Sequence, residues 1–324
     1  MIAAGLRLIQ RHATWALIGG GLLGLLAPPL AEALRPLLIP SILALLVLSL
    51  TIIDGHQLRI TTRRPLFLAI AVSWLMLGIP LLMFGLILLL EPSDLWRQIL
   101  ILTAAAPPIL SVAAFAQIVG LGATLALSLM VVATFVLPLT LLPLAALILG
   151  MDISAELSAF LLRTVGMLGL PTLLAWGIRR LLPPATHRQH ARELGGLGVI
   201  CLAVFAIALM DGATERLLEQ PLLVGAMLLV AFAMNLGWQL ASYLPFSLVL
   251  NRAEALTLAL CAGNRNMGLM LALTVDMTHP AFVTYVAVYQ IPVFCIPLFQ
   301  KPLVERWLAT TADDTAPEQR RRGH

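Results

Sequence analysis

Cys261-Ala262-Gly263-Asn264-Arg265-Asn266-Met267-Gly268 interrupts a long hydrophobic stretch near its middle. A charged residue flanked by two amides and two glycines does not continue a membrane helix quietly. Unwound backbone at membrane depth survives only where it lines a cavity or is buried in protein. A second break, Ala104-Ala105-Ala106-Pro107-Pro108-Ile109-Leu110-Ser111, occupies the matching place in the first half of the chain. Paired breaks at corresponding positions of two halves point to a transporter's binding site.

The composition agrees. Of the 324 residues, 60% are hydrophobic and 11% charged, and the mean hydropathy is +0.98, which excludes an ordinary soluble domain. The net charge of +4 is spread over loops and tail, so it carries no nucleic-acid signal. Cys201, Cys261 and Cys295 lie in apolar stretches with no metal or disulfide spacing. Within the spans there is no HExxH, GxSxG, Walker A or Asp-rich metal motif, so neither an enzyme, a metal site nor a cofactor is expected.

Hydropathy predicts an all-α polytopic membrane protein of ten transmembrane helices, near 14–30, 36–53, 65–90, 95–119, 122–149, 156–182, 193–211, 217–241, 253–277 and 280–307. The first stretch follows Arg7 and Arg11 and precedes Ala31-Glu32-Ala33, a signal-peptide pattern. Removing it would leave the first half one helix short of the second, so a retained span is expected. With a cytoplasmic N-terminus, fifteen of the 20 basic residues fall inside: Arg7, Arg11, Arg59, Arg63, Arg64, Arg179, Arg180, Arg188, Arg192, Arg252, Lys301, Arg306, Arg320, Arg321 and Arg322. Only Arg35, Arg97 and Arg216 fall outside, among acids such as Glu91, Asp152, Asp211 and Asp276. This bias predicts both termini in the cytoplasm, in a bacterial inner membrane.

Five helices per half is odd, so the halves have opposite orientation. Residues 1–151 form a first inverted repeat, 152–308 a second, and 309–324 a disordered cytoplasmic tail. Gly263 follows Pro107 by 156 positions. The broken helices four and nine are expected to cross where the repeats meet.

Arg265 is the sharpest feature. A central arginine costs roughly 2.5–3.5 kcal/mol on insertion scales, and such charges mark pathways or ligand sites. It binds a substrate anion, or it braces the crossover by pairing with carbonyls. No acidic residue lies mid-span to neutralise it, and guanidinium suits carboxylate or phosphate. Asn264 and Asn266 serve the substrate or the freed backbone. Pro107 and Pro108 delete two donors, and Ser111 follows them within reach of ligand or backbone. In helix ten, Tyr285 and Tyr289 share a face, and Gln290 follows. Asn235 and Gln239 share a face of helix eight and are expected to hydrogen-bond between helices. Arg163 is expected to snorkel outward beside Glu156.

At helices four and nine the pattern resembles the bile acid:sodium symporter family and its wider superfamily of arsenite and auxin carriers. Gly263-Asn264-Arg265-Asn266-Met267-Gly268-Leu269 is similar to that family's Gly-x-Gln-Asn-Ser-Gly-Leu stretch, and Pro108-Ile109-Leu110-Ser111 to its Pro-Gly-Gly-Thr. The resemblance implies a core of helices three to five and eight to ten, with the others as a panel that moves against it in alternating access. The family's sodium ligands fall on Cys261 and near Ala113 and Ala114, which supply no such oxygens. The guanidinium of Arg265 then stands where sodium's charge would be. The expectation is a sodium-independent carrier of a small organic anion, driven by protons or a counter-anion, with Arg265, Asn264, Asn266, Ser111, Pro108, Tyr289 and Gln290 at the substrate. The alternatives are a sodium-coupled symporter using backbone oxygens, and a non-transporting sensor or channel-like protein.

Overall fold

The computed structural model describes residues 2–11, 13–52, 64–148, 156–181, 184–274 and 276–321. The expected repeat boundary at 151/152, the basic Arg59 and Arg63, the outer Asp152 and the end of the tail at Arg322–His324 lie outside these residues. Among the described residues the chain is helical, and the one extended pairing is an isolated bridge between Pro108 and Arg265.

The first half contains α1 (Ile2–Arg11), α2 (Ala13–Leu26), α3 (Pro28–Leu34), α4 (Leu38–Ile52), α5 (Pro65–Ser73), α6 (Ile79–Leu90), α7 (Asp94–Ala105), α8 (Val112–Val119) and α9 (Ala123–Ile148). The second contains α10 (Glu156–Leu181), α11 (Pro184–Leu209), α12 (Ala213–Glu219), α13 (Pro221–Phe246), α14 (Arg252–Gly263), α15 (Met267–Thr274) and α16 (Ala281–Arg321). The backbone of α16 continues helically through the segment for which disorder was expected.

Among the described residues, seven helical segments are long and apolar enough to cross a membrane: Pro28–Ile52, Pro65–Leu90, Ala123–Leu141, Leu161–Leu181, Glu193–Glu219, Pro221–Phe246 and Ala281–Leu308. The chain is therefore an integral membrane protein by composition and element length. Three expected spans are not among them, each for a local reason. α2 is 14 residues long and ends at Ala27-Pro28, where proline opens a new helix. The α7–α8 and α14–α15 stretches are each divided at a predicted break.

The helices sort into two packed groups. α11 lies against α1, α2, α3 and α4, while α10 lies against α4. α13 packs along α14 and α16, and α8 against α9 and α16. Close approach within both groups depends on glycine: a Cβ at Gly24 of α2 would sit 2.8 Å from the Ile207 carbonyl of α11, and one at Gly263 would collide with the Asn235 carbonyl of α13.

Charges at the helix ends keep a consistent arrangement. Arg7–Glu193, Arg64–Glu254 and Lys301–Glu305 each join residues expected on one side. Arg35–Asp211 and Arg97–Asp94 each join residues expected on the other, and Arg163, expected inside a span and reaching outward, joins Asp276 there. Arg163 also donates to the Ala272 carbonyl at 3.0 Å. Its ion-pair partner is thus Asp276, just beyond the end of α15 and 113 positions away in sequence.

Candidate functional site at the helix crossover

α7 stops because Pro107 and Pro108 have no N–H to donate back along the helix. Ala106 turns to extended backbone (φ −63°, ψ 140°), which leaves its carbonyl pointing out of the helix. α14 stops one break later in the chain, where Asn264 adopts φ −91°, ψ 85°. The two interruptions meet. The Ile109 N–H donates to the Asn264 carbonyl at 2.8 Å, and the Asn266 N–H to the Pro107 carbonyl, also at 2.8 Å. Each broken helix thereby supplies backbone partners that the other lost, in a short antiparallel bridge.

The side chains of the second break complete the accounting. The Asn264 amide donates to the Leu260 carbonyl at 2.8 Å, and the Asn266 side-chain oxygen accepts from the Leu269 N–H at 3.1 Å, capping α15. The Tyr289 hydroxyl donates to the Gly263 carbonyl at 2.7 Å. A chain of amides then runs away from the crossover: Asn235 Nδ2 lies 3.5 Å from Asn264 Oδ1, Gln239 donates to Asn235 at 2.7 Å, and Gln300 donates to Gln239 at 2.8 Å. The predicted role of Asn235 and Gln239 in bonding between helices is realised here.

Arg265 is 0% exposed, the largest fully buried side chain described. Its Nη1 donates to the Ala106 carbonyl at 2.7 Å and the Leu75 carbonyl at 3.2 Å. The second acceptor comes from a third element. Residues Trp74–Gly78 form a π-turn between α5 and α6, in which the Ile79 N–H bonds back to the Trp74 carbonyl. The next residue is Pro80, which has no N–H, so the Leu75 carbonyl has no helical donor and takes the arginine instead. Nε and Nη2 of Arg265 are buried and have no partner among the described residues. The guanidinium is therefore half brace and half unanswered donor. Among the described residues no carboxylate faces it and no cluster of His, Cys, Asp or Glu could hold a metal.

Of the residues predicted at the substrate, Pro108, Asn264, Arg265, Asn266 and Tyr289 come together at this crossover. Ser111 is half-buried at the start of α8, with its carbonyl accepting from the Phe115 N–H. Gln290 lies elsewhere: it donates to the Val286 carbonyl of its own helix and lines a cavity of about 450 Å³ on another side of α16. Cys261 is fully buried, Ala113 partly exposed and Ala114 exposed, so the positions expected to replace sodium ligands do not form one buried cluster. Sequence reasoning missed Leu75. Its signal was Pro80, six residues after Trp74 in an otherwise uninterrupted apolar run.

No family model matches this chain, and no curated protein matches it.

Proposed function

We propose that the chain is a secondary transporter for a small organic anion, working by alternating access without sodium, with Arg265 as the cation that recognises its substrate. The observation that carries this reading is the buried guanidinium whose Nε and Nη2 have no partner among the described residues, set in a crossover of two broken helices. Two parallel N–H groups with a full charge fit a carboxylate in bidentate fashion. An unneutralised arginine in an apolar interior is costly, and a ligand that answers it returns part of that cost.

Supporting the carrier reading, the seven long helices together with α2, α7–α8 and α14–α15 make ten spans, five in each half. An odd number inverts the second half relative to the first, and the ion pairs respect that arrangement of ends. In this reading both termini are cytoplasmic in a bacterial inner membrane, and a proton or a counter-anion supplies the drive. The division into two packed groups matches the core and panel implied by the resemblance to bile acid:sodium symporters.

The decisive measurement is uptake of a panel of labelled monocarboxylates into proteoliposomes, with external sodium or choline and with or without a pH gradient. Saturable uptake unchanged by choline is expected. A fall of about tenfold or more, equivalent to roughly 1.4 kcal/mol of coupling, would show that backbone oxygens hold sodium after all. Flux that does not saturate would identify a channel.

A further inference from the structure

The cavity that Gln290 lines is a separate chamber from the crossover. Its α16 wall is built from Thr284, Ala287, Val288, Ile291, Phe294 and Cys295, a stripe at helical spacing. Tyr285 and Tyr289, buried on another face of α16, interpose their helix between this chamber and Arg265, with Tyr289 bonded to Gly263. The opposite walls come from α2, α11, α12 and α13, including Leu25, Leu209 and Leu228. At about 450 Å³ it falls in the range of small-molecule sites, roughly 300–1,000 Å³.

Its chemistry is lopsided. Among the lining side chains two carry a hydrogen-bonding amide or hydroxyl, and each has one bond already: Gln290 donates to the Val286 carbonyl, and the Thr284 hydroxyl oxygen accepts from Arg216 at 2.6 Å. What polar capacity remains, part of the Gln290 amide and the Thr284 O–H, is too little to satisfy the many hydrogen-bonding groups of a sugar or a nucleotide. At the mouth, Leu22, Leu217 and Ile291 are 53%, 39% and 45% exposed. In a membrane such an apolar rim faces hydrocarbon, so a ligand arrives from within the bilayer.

Among the described residues one cation borders the chamber, through its hydrogen bond to the lining residue Thr284. Arg216 belongs to the short helix α12, whose Ala213 and Leu217 also line the chamber. Its Nη1 reaches Thr284 and, at 3.4 Å, the Pro280 carbonyl, and no ion pair joins it to a carboxylate among the described residues. An apolar chamber, a lipid-facing rim and one uncompensated guanidinium at the level of a short end-of-span helix define a single kind of ligand. We infer that this cavity binds a free long-chain carboxylate, its hydrocarbon chain between α2, α11, α13 and α16 and its carboxylate on Arg216. The site stands apart from the carrier reading of Arg265 and does not rest on it.

Cys295 lines the chamber and reports on it directly. The full chain carrying Cys201→Ala and Cys261→Ala, in a neutral detergent, is reacted with N-ethylmaleimide in the presence of dodecanoate or of 1-dodecanol. Dodecanoate is expected to slow labelling of Cys295 at about tenfold lower concentration than the alcohol, the worth of one charge-assisted contact. Arg216→Gln should erase that difference while Arg265→Ala keeps it. Equal protection by acid and alcohol, or protection by neither, overturns the proposal on the unsubstituted site alone. Loss of the difference in Arg265→Ala with retention in Arg216→Gln overturns it too, by placing the anion at the crossover. Because no transport is read, absent uptake in proteoliposomes would defeat the carrier reading and leave this one standing.

Discussion

The two broken helices solve one problem by opposite means. The first break, around Pro107 and Pro108, is made by deleting donors, and apart from Ser111 it contains no polar side chain. The second, Asn264-Arg265-Asn266, is made by adding polar side chains, each buried and each hydrogen-bonded at least once, with Nε and Nη2 of Arg265 left over. Placed across from each other they are complementary: the carbonyls of Ala106 and Pro107 take donors from Arg265 and Asn266, and the Asn264 carbonyl takes the Ile109 N–H. Membrane depth permits irregular backbone only on such terms. The lesson is an asymmetry of duty. The proline break shapes the path of the chain, whereas the asparagine–arginine break is where the charge resides and where the proposed carrier would recognise its substrate.

The harshest test of that division is Arg265→Ala. Its loss leaves the Ala106 and Leu75 carbonyls without their donor, each worth about 1–3 kcal/mol when buried. It also removes a mid-membrane charge costing roughly 2.5–3.5 kcal/mol, so the two effects oppose each other within the same range. A folded protein with a thermal midpoint near the parent's and no saturable anion uptake is expected. Arg265→Lys keeps the charge without the planar fork and should retain partial uptake. A variant that unfolds would make the arginine a brace for π-turn and crossover alone; one that still transports would remove it from the substrate.

How far the sequence announces this architecture depends on the kind of signal. Prolines, and charged or amide side chains inside apolar runs, break a local pattern, so both interruptions and the buried arginine are legible in one dimension. The carbonyl partners of Arg265 are not, because any residue carries a carbonyl. Leu75 becomes an acceptor only through the π-turn and Pro80 acting together. Arg163 illustrates the same limit, since Asp276 is its partner through a helix contact that no periodicity encodes. Gln290 fails for a third reason: its neighbour Tyr289 faces the crossover, and adjacent helical positions point about 100° apart, into a different chamber.

A smaller effect separates the breaks by packing. Gly263→Ala would drive a Cβ into the Asn235 carbonyl and to 2.5 Å from Gln239 Cγ, and the first of these is backbone that cannot swing aside. Overpacking of this kind costs about 1–3 kcal/mol, so the thermal midpoint in detergent should fall and uptake with it. Pro107→Ala, at the other break, only adds an N–H that can bond back along α7, and it should leave the midpoint close to the parent's. If the two substitutions destabilise equally, the breaks are structurally equivalent and the division of duty fails.

The finest probe is Tyr289→Phe, which deletes one hydroxyl and keeps the ring beside that of Tyr285, tilted 45° to it at a centroid distance of 5.8 Å. The Gly263 carbonyl then loses its donor at 2.7 Å. Interhelical hydrogen bonds in membranes average about 0.6 kcal/mol, well under the cost of a crowded crossing. Stability should therefore drop only slightly. The informative readout is uptake: Gly263 immediately precedes Asn264 and Arg265, so a carbonyl freed there loosens the residue that sets the arginine's position. A raised half-saturation concentration with unchanged maximal rate is expected if the tyrosine only orients the binding residues. An unchanged half-saturation concentration would mean that the backbone bridge to Pro107 and Ile109 holds the arginine in place by itself. Recognition would then depend on the meeting of the two breaks and on nothing supplied by α16.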